Sequence, residues 1–551
     1  MEKLWLSQYQ QTVPSEINMS DYVSIVHMFE ESCQTFKNHI AYVNLGTEIS
    51  FGELDKLTLQ FAAYLQGLGL KKGSRIAIMM PNLLQYPIVL FASLRAGLIV
   101  VNTNPLYTSD ELVHQVNDSE AEVIVVLANF AKTVEKALPQ MPSLKHVIVT
   151  QIGDVFPAIK RMLVNAVVKY VKKIVPAYHI PNAIDFTRAL QRGKNTTFQP
   201  VELNQQDIAF LQYTGGTTGV AKGAMLTHGN MIANVLQASA WIKPLAMDDK
   251  EIIVTALPLY HVFSLTANCL TFLKLGAKNI LITNPRDIPH FIKEIKHTKF
   301  TAITGVNTLF NALLHHPKFD EIDFSKLKLA LAGGMALQKS VSVEWRERTK
   351  SRVLEAYGLT ETSPAVTINP MYLEEYNGSI GLPLPSTDIS VRDEDGRELP
   401  LGERGELCVK GPQVMAGYWQ RPEETERVFW PDGFLRTGDI ATVDEQGFVY
   451  LVDRKKDMIV VSGFNVYPNE VEQVINMHPD VLEVGVIGVN DENSGEKVKA
   501  CIVKKHPSLT EEEVITHCRE HLTAYKVPKI IEFYEELPKS NVGKILRRAL
   551  R

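Results

Sequence analysis

A chain of 551 residues is too long for one compact core, so two or more domains are expected. At 45% hydrophobic and 22% charged it has an ordinary globular composition, and its net charge of −5 gives no global attraction to nucleic acid. Five scattered cysteines (Cys33, Cys269, Cys408, Cys501, Cys518) form no C-x-x-C pair, which fits a reducing cytosol and argues against disulfides or a cysteine zinc site.

The first sixteen residues, MEKLWLSQYQQTVPSE, interrupt any apolar stretch with charge and glutamine, so no signal peptide is expected. No run of 18 apolar residues predicts a spanning helix. Residues 51–69 read as an amphipathic helix stopped by Gly67 and Gly69. Arg75-Ile-Ala-Ile-Met-Met80 reads as a strand, followed by a helix near 85–96 and strands at Val100-Val101 and 122–127. Helices alternating with short Val/Ile runs predict an α/β sheet protein. Gly67, Gly69 and Gly73 do not make a G-x-G-x-x-G fingerprint, so a dinucleotide site is not indicated.

Residues 155–175 contain no acidic side chain. Ile159, Leu163, Ala166, Val167, Tyr170, Val171 and Ile174 share one helical face, with Arg161, Lys169, Lys172 and Lys173 broadly opposite. Two readings stand: a core-packing helix with a solvated basic face, or a basic amphipathic helix lying in an anionic membrane surface.

The stretch Tyr213-Thr-Gly-Gly-Thr-Thr-Gly-Val-Ala-Lys222-Gly-Ala-Met-Leu-Thr-His228-Gly-Asn230 carries the strongest chemical signal. Four of its first eleven residues are glycine and three are threonine. Glycines let several backbone N–H groups converge on one anion, and hydroxyls and a lysine add donors and charge. The loop suits a polyphosphate. It is not a Walker loop: Lys222 follows Ala221, and Gly223 stands where a Ser/Thr would hold magnesium.

The strand pattern continues at 252–255, 279–282 and 328–332. Ala332-Gly-Gly-Met-Ala336 then permits close backbone approach to a flat ligand, or is simply a strand-to-helix turn. Tyr357-Gly-Leu-Thr-Glu361 groups a ring for stacking, a hydroxyl and a carboxylate suited to Mg²⁺; the alternative is a turn with a buried tyrosine. From about 380 the texture becomes hairpin strands, at 389–396 and 405–411. Thr437-Gly-Asp439 offers a carboxylate that can accept two hydrogen bonds from a ribose diol. Asp453-Arg-Lys-Lys-Asp457 reads as a domain boundary or an exposed turn. Pro538-Lys-Ser-Asn-Val-Gly-Lys544-Ile-Leu-Arg-Arg548 reads as a basic loop that could neutralise charge at a phosphate, or as an exposed tail.

In this order and spacing, these motifs resemble those of the acyl-adenylate-forming superfamily from about residue 25 to the end. Within it the chain is most similar to bacterial long-chain fatty acid–CoA ligases, through 213–230, with Gly215 where many relatives carry serine, and through 432–458. The resemblance implies a large domain, 1–452, of packed α/β sheets with a β-barrel-like subdomain, a hinge at 453–457, and a small mobile α+β domain, 458–551. It implies that a fatty carboxylate attacks Mg·ATP to give acyl-AMP and pyrophosphate, and that CoA then takes the acyl group and releases AMP.

Carried over motif by motif, Thr214, Gly215, Gly216, Thr217, Thr218 and Lys222 would cradle the leaving pyrophosphate, with Tyr213 and Gly219 also in the ATP/AMP site. Gly333, Gly334, Met335 and Tyr357 would flank adenine, Gly358 would belong to the same ATP/AMP site, and Thr360 and Glu361 would hold phosphate and Mg²⁺. Asp439 and Arg454 would bind ribose, and Lys544 would bridge the carboxylate and α-phosphate. His261, in Leu257-Pro-Leu-Tyr-His-Val-Phe, is either structural or an orienting group at the substrate carboxylate. The small domain would rotate about an exposed Asp453, bringing Gly463 beside the pantetheine channel. The expected setting is cytoplasmic, with 155–175 on the inner face of the membrane; a homodimer stays open.

Rival readings are a medium-chain or aryl carboxylate–CoA ligase, a luciferase-like oxidase, a carrier-loading domain, which the end at Arg551 disfavours, and a non-catalytic nucleotide-binding regulator.

Overall fold

The computed structural model describes residues 3–214, 221–245, 250–462, 464–491, 494–540 and 543–551. The runs of Val, Ile and Leu become strands because parallel strands covered on both faces bury every side chain. Val123–Leu127 and Ile99–Asn102 are buried at every position. A seven-stranded sheet runs in the order 184–185, 146–150, 123–127, 75–79, 99–102, 208–213 and 223–227. All its neighbours are parallel except the last pair. A nine-stranded sheet centres on the parallel strands 353–358, 329–333, 302–305, 252–255, 278–281 and 40–44, with antiparallel strands at both edges.

The helix Gln85–Arg95 is buried along its whole length. Its one charged residue, Arg95, is met by Asp55 at 2.5 Å and Glu30 at 3.1 Å, which is how a buried guanidinium is tolerated. The helix Phe51–Gly67 starts where expected, on a capping box between Ser50 and Glu53, and ends before Gly69, whose φ of +81° an L-residue rarely adopts.

The hairpin texture after 380 becomes a four-stranded antiparallel meander, 388–392, 405–410, 435–443 and 449–454. A bridge between Gly381 and Val449 ties this barrel-like subdomain to the edge of the nine-stranded sheet. A smaller domain follows, with the mixed sheet 464–466, 459–461, 495–504, 481–491 and 530–534. The helices Pro468–Ile475 and Glu511–His521 contribute Val471, Val474, Ile475, Val514 and Cys518 to the core of this sheet.

Two expectations change. Asp453 is not exposed: it is fully buried at the end of the strand Val449–Arg454. Its Oδ2 accepts from the Asn469 N–H at 2.7 Å, and its Oδ1 faces Arg547 Nη1 at 3.1 Å. A charge-rich run looks exposed in sequence, but this carboxylate has a guanidinium from the far end of the chain. Nor does 155–175 pack as a core helix. It forms an α-helix over Ala158–Ala166 and a π-helical turn over Val167–Val171, and no residue from 157 to 175 is buried.

Candidate active site

Tyr213 ends the strand Ile208–Tyr213, and Gly223 begins the antiparallel partner Gly223–Thr227, directly opposite. The strands flanking the glycine/threonine stretch are therefore paired antiparallel, whereas a Walker loop joins a strand to a helix. The Thr214 N–H donates to the Lys222 carbonyl at 3.0 Å and closes the neck. A Cβ on Gly223 would stand 3.2 Å from the Tyr213 ring. Gly215, Gly216, Thr217, Thr218 and Gly219 lie outside the described residues.

The Tyr213 hydroxyl donates to Asp118 Oδ2 at 2.7 Å, and Asp118 Oδ1 meets Arg421 at 2.5 Å. Lys222 pairs with Glu424 and sits 5.2 Å from the Tyr418 ring centroid. Tyr418 in turn donates its hydroxyl to Glu361 Oε1 at 2.7 Å, and the Met415 N–H donates to the Glu361 carbonyl at 2.8 Å. Thus one stretch, 415–424, braces both the lysine of the loop and the acid of Tyr357-Gly-Leu-Thr-Glu361.

Tyr357 and Gly358 end the strand Val353–Gly358, and Thr360 and Glu361 form the next turn. A Cβ on Gly358 would fall 2.0 Å from the Pro364 carbonyl oxygen, so only glycine fits there. The parallel neighbour Leu329–Gly333 delivers Gly333, Gly334 and Met335 to the same cleft. The Tyr357 hydroxyl donates to Asp439 Oδ2 at 2.6 Å. Asp439 and Arg454 are cross-strand partners, and Arg454 Nε lies 3.2 Å from Asp439 Oδ1. Burial, with Asp439 beside it, holds the Tyr357 phenol well above its usual range.

Lys544 reaches this cluster from the small domain. Thr308 donates to the Gly543 carbonyl at 3.0 Å and Arg286 to the Ser540 carbonyl at 3.3 Å, docking the loop. Burial and the neighbouring Arg454 pull the Lys544 ammonium down to about 8, against the attraction of Asp439. His261 caps the short helix Val262–Ser264, its Nδ1 accepting from the Phe263 N–H at 3.4 Å. Burial, then Lys544, drives its imidazole down to about 4, so it is neutral at pH 7. Gly463 lies outside the described residues.

Tyr213, Thr214, Lys222, His261, Tyr357, Glu361, Tyr418, Asp439, Arg454 and Lys544 all line one cleft of about 2210 Å³ between the two domains, whereas Asp118, Arg421 and Glu424 brace it from behind. Apolar side chains also line this cleft: Ala238 and Ile242 of the helix His228–Ile242, Val262, Ala267 and Phe272 of the following helical segment, and Leu329 and Leu331 of the sheet. Sequence reading missed Tyr418, Glu424, Asp118 and Arg421. It also missed Glu355, a cleft-lining acid that accepts from the Leu337 N–H at 3.0 Å and is pushed up to about 8 by burial. The Gly417-Tyr-Trp-Gln-Arg-Pro-Glu423 run, with an aromatic pair and alternating charges after a glycine, was the available signal.

Residues 29–419 match the AMP-binding enzyme family and residues 470–544 the AMP-binding enzyme C-terminal domain. The chain belongs to the AMP-binding enzyme family. Over 552 residues it is 57% identical to a long-chain-fatty-acid–CoA ligase of Escherichia coli O6:H1, covering 100% of this chain and 98% of that protein. It is 54% identical over 554 residues to the Haemophilus influenzae protein of the same name, with the same coverage. Among solved structures, an anthranilate CoA ligase, AuaEII, in complex with anthranoyl-AMP superimposes with a TM-score of 0.86 at 26% identity, covering 97% of this chain and 98% of that one. As an AMP-binding enzyme, the chain brings its candidate residues from both matched regions to one cleft.

Proposed function

We propose that this protein converts long-chain fatty acids to acyl-CoA in two steps through an acyl-AMP. The Lys544 ammonium lies beside Asp439 and Arg454 in a cleft that is also lined by apolar side chains, and this placement carries the reading. Such a cleft suits a substrate with a carboxylate at one end and a long hydrocarbon at the other.

In the first step a carboxylate oxygen attacks the α-phosphorus of ATP and the bond to the β-phosphate oxygen breaks, releasing pyrophosphate. Anion meets polyphosphate, so preorganised positive charge supplies most of the stabilisation. Lys544 bridges carboxylate and α-phosphate, while Thr214–Thr218 and Lys222 hold the leaving pyrophosphate. Asp439 and Arg454 take the ribose hydroxyls, and Gly333–Met335 and Tyr357 flank adenine. Neutral His261 orients the carboxylate; no base is needed, because a carboxylic acid is already ionised at pH 7. The Thr360 and Glu361 oxygens are donors of the type Mg²⁺ takes, and Tyr418 fixes one of them, so these residues fit the ion. Bound there, Mg²⁺ would neutralise phosphate charge.

In the second step the CoA sulfur attacks the acyl carbon, the acyl–phosphate bond breaks, AMP leaves with the bonding pair and the thiol proton passes to solvent. We assign the hinge to 453–457, between domains 1–452 and 458–551, with Gly463 on the pantetheine side after rotation.

The segment 155–175 docks on the anionic inner face of the membrane, where a long acyl substrate partitions. Ile159 is 73% exposed, Tyr170 68% and Val171 73%, beside Lys169, Lys172 and Lys173. Among the described residues no helix is long and apolar enough to cross a membrane. Reversing the three lysine charges should weaken sedimentation with phosphatidylglycerol vesicles; undiminished binding removes the docking assignment. The catalytic reading is tested by CoA-dependent AMP release across acetate, benzoate, octanoate and palmitate. Palmitate should be preferred, and preference for benzoate or acetate would contradict it.

A further inference from the structure

The small domain carries a second cluster of metal-binding side chains, on the helix Glu511–His521. His517, Glu520 and His521 occupy positions i, i+3 and i+4, which share one helix face. One ligand atom from each lies within 4.8 Å of the others, and the two imidazole centroids are 4.9 Å apart. A tetrahedral ion with bonds of about 2.0–2.1 Å needs ligand atoms about 3.4 Å apart. Exposed Glu520 and His521 can close that gap by turning their side chains.

His517 is already oriented. Its Nε2 lies 2.9 Å from the Val474 carbonyl oxygen, an acceptor, so Nε2 carries the proton and Nδ1 keeps its lone pair. Such a carbonyl contact is the outer-shell support that fixes metal-binding imidazoles. The ring of His478 packs edge-on against His517, 5.3 Å away. His478 Nδ1 accepts from the Asp480 N–H at 3.2 Å, which places the proton on Nε2 and makes His478 a wall of the site, not a ligand. Cys518 is buried in the core and contributes nothing to this face. His521 is the last helical residue, where the unpaired carbonyls favour a cation.

We propose that His517 Nδ1, Glu520 and His521 bind one first-row transition dication, of the Zn²⁺, Ni²⁺ or Cu²⁺ class, with water completing the shell. Two imidazoles and one carboxylate suit these ions, whereas Mg²⁺ prefers oxygen ligands and stays with the nucleotide. None of the three residues lines the catalytic cleft.

The test uses the untagged full chain, titrated calorimetrically with Zn²⁺ at pH 7.5 in excess Mg²⁺. One equivalent should bind, and His521→Ala and Glu520→Gln should each weaken that binding by more than about tenfold. Adenylation should be unchanged in both. With Cu²⁺, electron paramagnetic resonance should show two coupled nitrogens in the wild type and one in His521→Ala. Absence of zinc binding, or equal binding by wild type and both exposed-site variants, overturns the assignment.

Discussion

Arg547, near the end of the chain, clamps Asp453 at the root of the small domain: its Nη1 lies 3.1 Å from Asp453 Oδ1. The same guanidinium meets Glu472 at 2.9 Å and Asp457 at 3.4 Å. Burial alone would lower its basicity, but Glu472 and Asp453 outweigh that and hold it well above the usual range. Asp453 runs the other way, raised by burial and only partly lowered by Arg547. Removing the cation with Arg547→Ala leaves the buried Asp453 carboxylate without its counter-ion, a loss of about 3–5 kcal/mol. The melting transition of the small domain should fall by more than about 10 °C; calorimetry showing an unchanged transition would refute the clamp.

Tyr418→Phe keeps the ring under Lys222 but removes the hydrogen bond to Glu361. A bond to a charged acceptor is worth about 1.5–3 kcal/mol. The concentration of Mg²⁺ or Mn²⁺ needed for half-maximal binding in the presence of ATP should rise at least about tenfold. Mn²⁺ binding measured by paramagnetic resonance reads this directly, and an unaltered affinity would show that Tyr418 does not position the acid.

Lys544 should set a basic limb of the pH profile. Its ammonium is pulled down to about 8 in the free protein, by burial first and Arg454 second. The charged form exists below that pH and is the form adenylation needs. Adenylation kcat/KM, which reports the free enzyme, should therefore fall as pH rises through about 8. Lys544→Arg stays charged and should lose this limb, whatever its absolute rate. A wild-type profile flat to pH 9.5 would contradict the assignment.

Ala238, on the helix His228–Ile242, is one of the apolar residues lining the cleft. Ala238→Phe fills space there, so turnover of palmitate should drop more than tenfold while octanoate changes little. An equal drop for both would mean that this apolar lining does not hold the far end of the acyl chain.

Much of this was legible in the sequence because the chemistry is local. Tyr213, Lys222, Glu361, Asp439 and Lys544 each sit in short motifs whose residue types mark them as candidates, and the structure gathers them along one cleft. The buried parallel strands declare themselves by unbroken Val/Ile runs, such as Val123–Leu127. What stayed hidden depends on contacts remote in sequence. Tyr418 and Glu361 are 57 positions apart, and Arg547 and Asp453 are 94 apart. No periodicity links such pairs, so Asp453 looked like an exposed charge. The helical period of 155–175 is compatible with burial or exposure, and only the packing of neighbouring elements decides between them.

We propose that Lys544 serves the first half-reaction from a domain that departs before the second. Lys544→Ala should slow pyrophosphate release from ATP and palmitate by about 10²–10³-fold, the scale of one lost preorganised donor. With acyl-AMP supplied, thioester formation with CoA should proceed at the wild-type rate. Equal losses in the two half-reactions would contradict that division of labour.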